Sequence, residues 1–226
     1  MRLIFSSEFM SRFPENQKVI FVGNAPSLKN QKLGTWIDSH DIVVRFNESP
    51  VAGYEDDVGS KSDIIVANPY LENPKPIQLS DHGIIVIISP QTRRLPSEQL
   101  EKWVTGHPVL FTYSPDLVQV GEVDHLATLT TGTYGIHLLS RLLNPSSVSV
   151  TGFTMFLDTT AHHYWSNTTP KGVSGHDLTT EAAVFIKVCN STRCPLTVTG
   201  DIEWVSQKIR LKLKGNTKVI PVSNMK

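Results

Sequence analysis

Proton carriers gather in one stretch of this 226-residue chain: His163 and Tyr164 in AHHYW at 161–165, then His176 with Glu181 close behind it. Imidazole changes charge near neutral pH, so His163 or His176 can act as a general base, with Tyr164 nearby. The group follows the apolar run SVSVTG at 147–152, so Gly152 marks a strand end just ahead of it. Metal binding is the rival role for such histidines. No third ligand stands at a suitable spacing and there is no Asp-x-Asp pair, so the expectation is no catalytic metal.

A second set of residues suits binding rather than proton transfer. Asn24, Asn47 and Asn68 each stand just past an apolar run, in KVIFVGN, DIVVRFN and DIIVAN. One Asn after a strand is ordinarily a turn former. Three in register form a row of amides that both donate and accept, able to hold a phosphate and ribose hydroxyls without adding charge. Thr130-Thr131-Gly132 opens a helical pattern, and such a start aims free backbone amides at an anion, a phosphate or a carboxylate; ordinary N-capping uses the same residues. The turn VGNAPSLKN lacks the G-x-G-x-x-G spacing and a ribose-binding acid, and no Gly-Lys-Ser/Thr P-loop occurs. A nicotinamide oxidoreductase is therefore disfavoured.

The elements that must position these groups are legible from hydrophobic runs. KVIFVG, DIVVRF, DIIVAN, GIIVIIS, PVLFTY, SVSVTG, LTVTG and KVIPV are strand candidates, several apolar on consecutive positions as strands covered on both faces are. Helical patterns lie at 96–104, 131–143, 176–190 and 201–213. Alternating strands and helices predict an α/β fold, a single Rossmann-like domain over 1–226 with a mostly parallel twisted sheet flanked by helices. Its core spans about 18–200, followed by a basic C-terminal tail at 201–226. In such sheets ligands bind beyond the carboxyl ends of the strands, where the Asn row stands. The Pro-rich stretch 68–81 reads as a surface loop on the acceptor side.

Composition narrows the partners. Lys plus Arg and Asp plus Glu number 21 each, so no global field favours nucleic acid. Lys208, Arg210, Lys212, Lys214 and Lys218 form a local basic run, either a solvated face or a peripheral contact with an anionic membrane surface. No apolar run is long enough to span a bilayer or serve as a signal core. Cys189 and Cys194 match no zinc spacing and fit a reducing compartment. A glycan on the Asn47 sequon would block the amide row, which also points to a cytoplasmic location.

Four segments, in order, resemble the motifs of animal-type sialyltransferases. IDSHDIVVRFNESPVAGYEDDVGSKSD at 37–63 is similar to their large motif, LTTGTYGIHLL followed by VSVTGF to their small motif, HHYW to their third, and His176-x4-Glu181 to their very small motif. GNAPSLK also resembles a bacterial sialyltransferase family whose turn reads Gly-Asn-Gly-Pro-Ser-Leu. The resemblance implies a GT-A-like variant fold and a metal-independent, inverting transfer of sialic acid from a CMP-activated donor to a glycan or glycolipid acceptor, with no cofactor beyond the CMP-sugar substrate.

By position, the resemblance implies that Asn24, Asn47 and Asn68 hold CMP phosphate and ribose, that Thr130, Thr131 and Gly132 meet the donor's phosphate or carboxylate, and that Gly152 lies near the cytidine. His176 would take the acceptor hydroxyl proton; His163 would donate to the departing phosphate, with Tyr164 nearby. The family pairs a Cys of its large motif with one of its small motif; the matching positions here are Val19 and Pro145. Leu129 and Ser166 also depart from the motifs. These departures leave the donor open between CMP-sialic acid and another CMP-ulosonic acid such as CMP-Kdo. A catalytically silent CMP-sugar-binding module would keep the Asn row but would not need both histidines.

Overall fold

Every strand candidate forms, and one more strand joins them at an edge. The computed structural model describes residues 2–69, 78–89, 98–113, 129–158, 161–166 and 177–223. Within these, β1 (Arg2–Ile4), β2 (Lys18–Val22), β3 (Ile42–Phe46), β4 (Ile64–Ala67), β5 (Ile84–Ser89), β6 (Pro108–Tyr113), β7 (Ser147–Thr151), β8 (Leu196–Thr199) and β9 (Lys218–Ile220) make one sheet, ordered β1-β6-β5-β4-β3-β2-β7-β8-β9. Each described pairing is parallel. The fold is α/β and Rossmann-like, a GT-A-like variant.

Successive side chains of a strand point to opposite faces, and here both faces are covered, with α1 (Ser6–Arg12) contributing Phe9 and α4 (Glu98–Trp103) contributing Leu100. Val19 and Phe21 of β2 join the core that includes Ile136 and Leu139 of α5 (Thr131–Leu142) and Phe185 of α6 (Leu178–Asn190). Ile20 and Val22 enter the opposite layer with Ile37 of α2 (Gly34–Asp38) and Val58 of α3 (Glu55–Val58). Burying each Ile, Val or Phe in this way contributes about 1.5–3 kcal/mol relative to leaving it in water. Residues Val19 to Val22 therefore read as an unbroken apolar run because alternate members serve different layers.

The chain leaves β2 for β3 and β4 on one side, then returns to lay β7 on the other side of β2. This reversal opens a crevice beyond the carboxyl ends of β2 and β7, the usual ligand position in an open α/β sheet. The two turns at the reversal nearly touch: a Cβ on Gly23 would run into the carbonyl of Gly152, which itself has φ +75°. Val19 lies opposite Val148 in this ladder, so β2 and β7 are joined by backbone pairing at the place where the resemblance implies a crosslink. Cys189 and Cys194 are both free thiols.

Much of the segment 37–63 is scaffold. Arg45, only 1% exposed, donates to the carbonyls of Val58 (2.7 Å), Gly59 (3.2 Å) and Lys61 (2.9 Å). Asp38 accepts from the amides of Ser60 and Lys61, and Asp57 from those of Asn30 and Lys32. These bonds tie the turns beyond β2 and β3 to α3.

Within the expected basic tail, the described residues 201–223 carry the helix and the strand that the sequence patterns predict. Its helix, α7 (Gly200–Lys208), stops short of the predicted end because Arg210 turns left-handed (φ 57°), and β9 then closes the sheet edge. Lys214 is committed to the carbonyls of Thr192 (2.9 Å) and Cys194 (2.8 Å), while Gln31 clasps Ser223 through both backbone and side chain. Lys208, Arg210, Lys212 and Lys218 remain exposed. Among the described residues no helix is long and apolar enough to cross a membrane.

Candidate functional site

The crevice holds a cavity of about 290 Å³. Asn24, Asn47, Asn68, Thr130, Thr131, Gly132, Gly152 and His163 all line it, although they come from four strand ends, a helix start and a loop. His176 lies outside the described residues, as does 70–77 of the expected acceptor loop.

The amide row is joined to itself rather than free. Asn24 Nδ2 donates to the Phe46 carbonyl at 2.7 Å. Asn47 Oδ1 accepts from the backbone N (3.2 Å) and Nδ2 (3.3 Å) of Asn68, and Asn68 Nδ2 also approaches Thr131 Oγ1 at 3.5 Å. Asn24 Oδ1 is buried and has no hydrogen-bond partner among the described residues. Asn47 sits at φ 53°, a left-handed conformation that Asn tolerates better than most residues. The row is thus pre-set for a ligand, and it crosses to the helix start at Thr131.

That helix start is held from a distance. Thr130 caps α5 with its side chain, and its own backbone N–H donates to the carboxylate of Glu181, which is 2% exposed on α6. Residues Thr131 and Gly132 stand at the positive end of the helix, where anions are favoured.

On the β7 side Asp201 plays the matching part. Its Oδ2 accepts from the amides of Gly152 (2.9 Å) and Phe153 (3.2 Å) and from Ser27 Oγ (2.8 Å). Oδ1 accepts from Thr199 Oγ1 (2.5 Å) and the Ile202 amide (3.0 Å). Burial pushes this carboxyl up, while the Thr199, Ser27, Gly152 and Ile202 bonds draw it back toward the ionised form. The Gly152 amide is therefore occupied, and its carbonyl accepts from Ala25 N at 2.9 Å. Gly152 offers a ligand space, not a hydrogen bond.

His163 closes the cavity between the two sides. Its ring stacks on His162 (4.2 Å between centroids) and on Trp165 (4.4 Å). Burial pushes its pKa down to about 4, with His162 acting in the same direction and a hydrogen bond to the Asn24 backbone opposing both. The imidazole is accordingly neutral at pH 7, with its one N–H given to the Asn24 backbone.

Tyr164 departs from the expectation. It is 2% exposed, packs edge-on to Tyr54 at 5.2 Å, and donates its hydroxyl to the Pro50 carbonyl at 2.5 Å. Burial pushes its phenol up, and it lies in the layer beneath the site rather than on the cavity wall. The chain turns here: His162 and His163 both face the cavity, and the next residue turns inward. Its backbone still serves the site, since Tyr164 N donates to the Asn24 carbonyl at 3.1 Å.

Sequence reasoning missed the apolar wall, formed by Phe46, Phe153, Met155 and Phe156, and the polar neighbours Asp158 and His162. Met155 and Phe156 are both left-handed (φ 51° and 55°), a costly conformation for bulky residues that clusters at functional sites. No propensity signals that turn; only its place after β7 could have drawn attention to it.

Residues 14–82 match the family model described as glycosyltransferase family 29 (sialyltransferase). The chain is similar to these sialyltransferases. The human CMP-N-acetylneuraminate-beta-1,4-galactoside alpha-2,3-sialyltransferase is 41% identical over 71 residues, 31% of this chain and 19% of that protein. The rat CMP-N-acetylneuraminate-beta-galactosamide-alpha-2,3-sialyltransferase 4 is 49% identical over 55 residues, 24% of this chain and 16% of its own length. The chain spans less than a fifth of either relative, and the family-model stretch 14–82 carries the β2–β4 side of the cavity. A crystal structure of a mammalian sialyltransferase in complex with Gal-beta-1-3GalNAc-ortho-nitrophenol superimposes with a TM-score of 0.56 at 20% identity, covering 80% of this chain and 69% of that one. That likeness establishes the shared fold.

Proposed function

We propose that this chain is a glycosyltransferase that moves sialic acid from CMP-sialic acid to a hydroxyl of a galactoside-bearing glycan. The observation that carries the reading is the meeting, in one cavity, of the Asn row from the sialyltransferase-like stretch with the Thr130 helix start, the Gly152 turn and His163. The Asn side chains offer donors and acceptors for ribose hydroxyls and phosphate oxygens. The amides of the α5 start suit the phosphate or the sugar carboxylate. The apolar wall offers a dry face for the base.

In the reaction, the acceptor oxygen bonds to the anomeric carbon of the donor from the face opposite CMP, while the bond from that carbon to the phosphate oxygen breaks. The result is inversion. The hydroxyl proton passes to His176 as general base, and the electron pair leaves with the phosphate of CMP. Oriented amides stabilise the departing charge, and His163 donates its N–H to the phosphate once that N–H turns from the Asn24 backbone. A single phosphate monoester leaving group can be stabilised by these residues without a divalent cation. The free thiols accord with a reducing, cytoplasmic location.

The test is CMP release from CMP-sialic acid with and without a β-galactoside acceptor, with EDTA and with CMP-Kdo as parallel arms. Acceptor-dependent release that survives EDTA is expected with the sialic acid donor. Replacing His176 with Ala should keep CMP binding and lower transfer by about 10²–10⁴-fold. CMP binding with no transfer to any acceptor would identify a binding module instead, and undiminished turnover of the His176→Ala variant would remove its role as base.

A further inference from the structure

Asp201 lies outside every segment that resembles a sialyltransferase motif, in the region that reads as tail, yet it reaches the centre of the cavity's architecture. It is 1% exposed and accepts five hydrogen bonds, from donors on three different turns. One is Ser27, in the turn after β2 that carries Asn24. Two are the amides of Gly152 and Phe153, both on the cavity wall. The last two, Thr199 and Ile202, seat the carboxylate at the start of α7.

The Gly152 peptide units are held on both sides. The amide is fixed by Asp201, and the carbonyl is fixed by Ala25 N at 2.9 Å, beside Asn24. Gly23 N in turn donates to the Thr151 carbonyl at 2.8 Å. The close approach of Gly23 to Gly152 leaves no room for either turn to slide. Moving the carboxylate would move Phe153, the ring that also packs against Phe46 (5.4 Å) across the cavity. A general packing role would be served by an apolar residue, because burying a carboxylate is unfavourable unless its bonds are needed where they are.

We infer that Asp201 is a positioning residue of the donor site: it sets the Gly152–Phe153 turn against the Asn24 turn at the separation that a cytidine nucleotide requires. The inference rests on the proposed function for the identity of the ligand only. The geometry it assigns to Asp201 can be read without any ligand.

The experiment compares Asp201→Asn, Ser27→Ala and a control, Lys214→Met, which loosens the half-buried clasp on Thr192 and Cys194, residues that do not line the cavity. Each is studied below its unfolding transition by amide hydrogen exchange, CMP titration, and donor KM against kcat. Asp201→Asn should speed exchange at Gly152 and Phe153, weaken CMP about tenfold and raise donor KM more than it lowers kcat, as displacement of a binding wall does. Ser27→Ala should do the same more weakly, and it carries the test if Asp201→Asn does not fold. Lys214→Met should lower the melting temperature and leave exchange at the turn and CMP affinity unchanged. The inference is overturned if the Asp201 and Ser27 variants lose only melting temperature, as the control does. If the wild-type chain does not bind CMP, the proposed function falls, while exchange at Gly152 and Phe153 still decides whether Asp201 holds the turn.

Discussion

The two sides of the cavity reach the same surface by opposite routes. On the β2–β4 side the groups facing the cavity are side chains, Asn24, Asn47 and Asn68, each placed by the strand it ends. On the β7–α5 side the cavity is bounded by two turns, Thr130 to Gly132 and Gly152 to Phe153, whose backbone amides are held by two buried carboxylates from helices that come later in the chain. A side chain can be exchanged while its strand stays put; a backbone wall moves with whatever holds it. The family match at 14–82 covers the first side, where identity is written locally, and stops before the second.

The contrast can be broken most severely where the sides touch. A Cβ in Gly23→Ala would meet the Gly152 carbonyl, a backbone atom that cannot step aside, so both walls should shift together. The expected loss is about 1–3 kcal/mol of stability from overpacking, read by denaturant unfolding, together with loss of CMP binding by calorimetry. Retained affinity would mean the walls are independent.

A smaller effect sharpens the side-chain route. Asn47 needs its left-handed backbone and its amide for different reasons. Glycine keeps the backbone and removes the amide, whereas alanine removes the amide and adds about 1–2 kcal/mol of strain. Asn47→Gly and Asn47→Ala should therefore lose similar CMP affinity and differ in melting temperature. Equal stability of the two would show that the conformation is not maintained in solution.

The mildest change concerns His163, where the sides are bridged. Burial holds both His163 and His137 near a pKa of about 4, against an ordinary 6.5. The unfolded chain therefore binds protons first as the pH falls from 6.5 toward 4. Stability is complete above that window and declines within it. His163→Phe should make the decline of melting temperature with falling pH shallower, leaving the share due to His137 and His40, which burial also holds down. Superimposable pH profiles would show that the His163 ring is more open to water than its stacking between His162 and Trp165 implies.

What could be read from residue order alone was local. Runs such as Val19–Val22 and Ile84–Ile88 announce buried parallel strands because side-chain alternation is set by neighbouring residues, and an Asn placed after such a run must stand at the strand's carboxyl end. The same logic marks Thr130 as a cap. Tertiary structure alone decided that Tyr164 turns inward to Pro50 while His163 faces the cavity, that β9 pairs with β8 at the sheet edge, and that Met155 and Phe156 take a strained turn. It also decided that Asp201 meets Ser27, 174 positions away, and that Gln31 meets Ser223, 192 positions away. A buried carboxylate is tolerated only where donors converge on it, and convergence over such separations is a property of the folded chain, with no trace in the residues on either side.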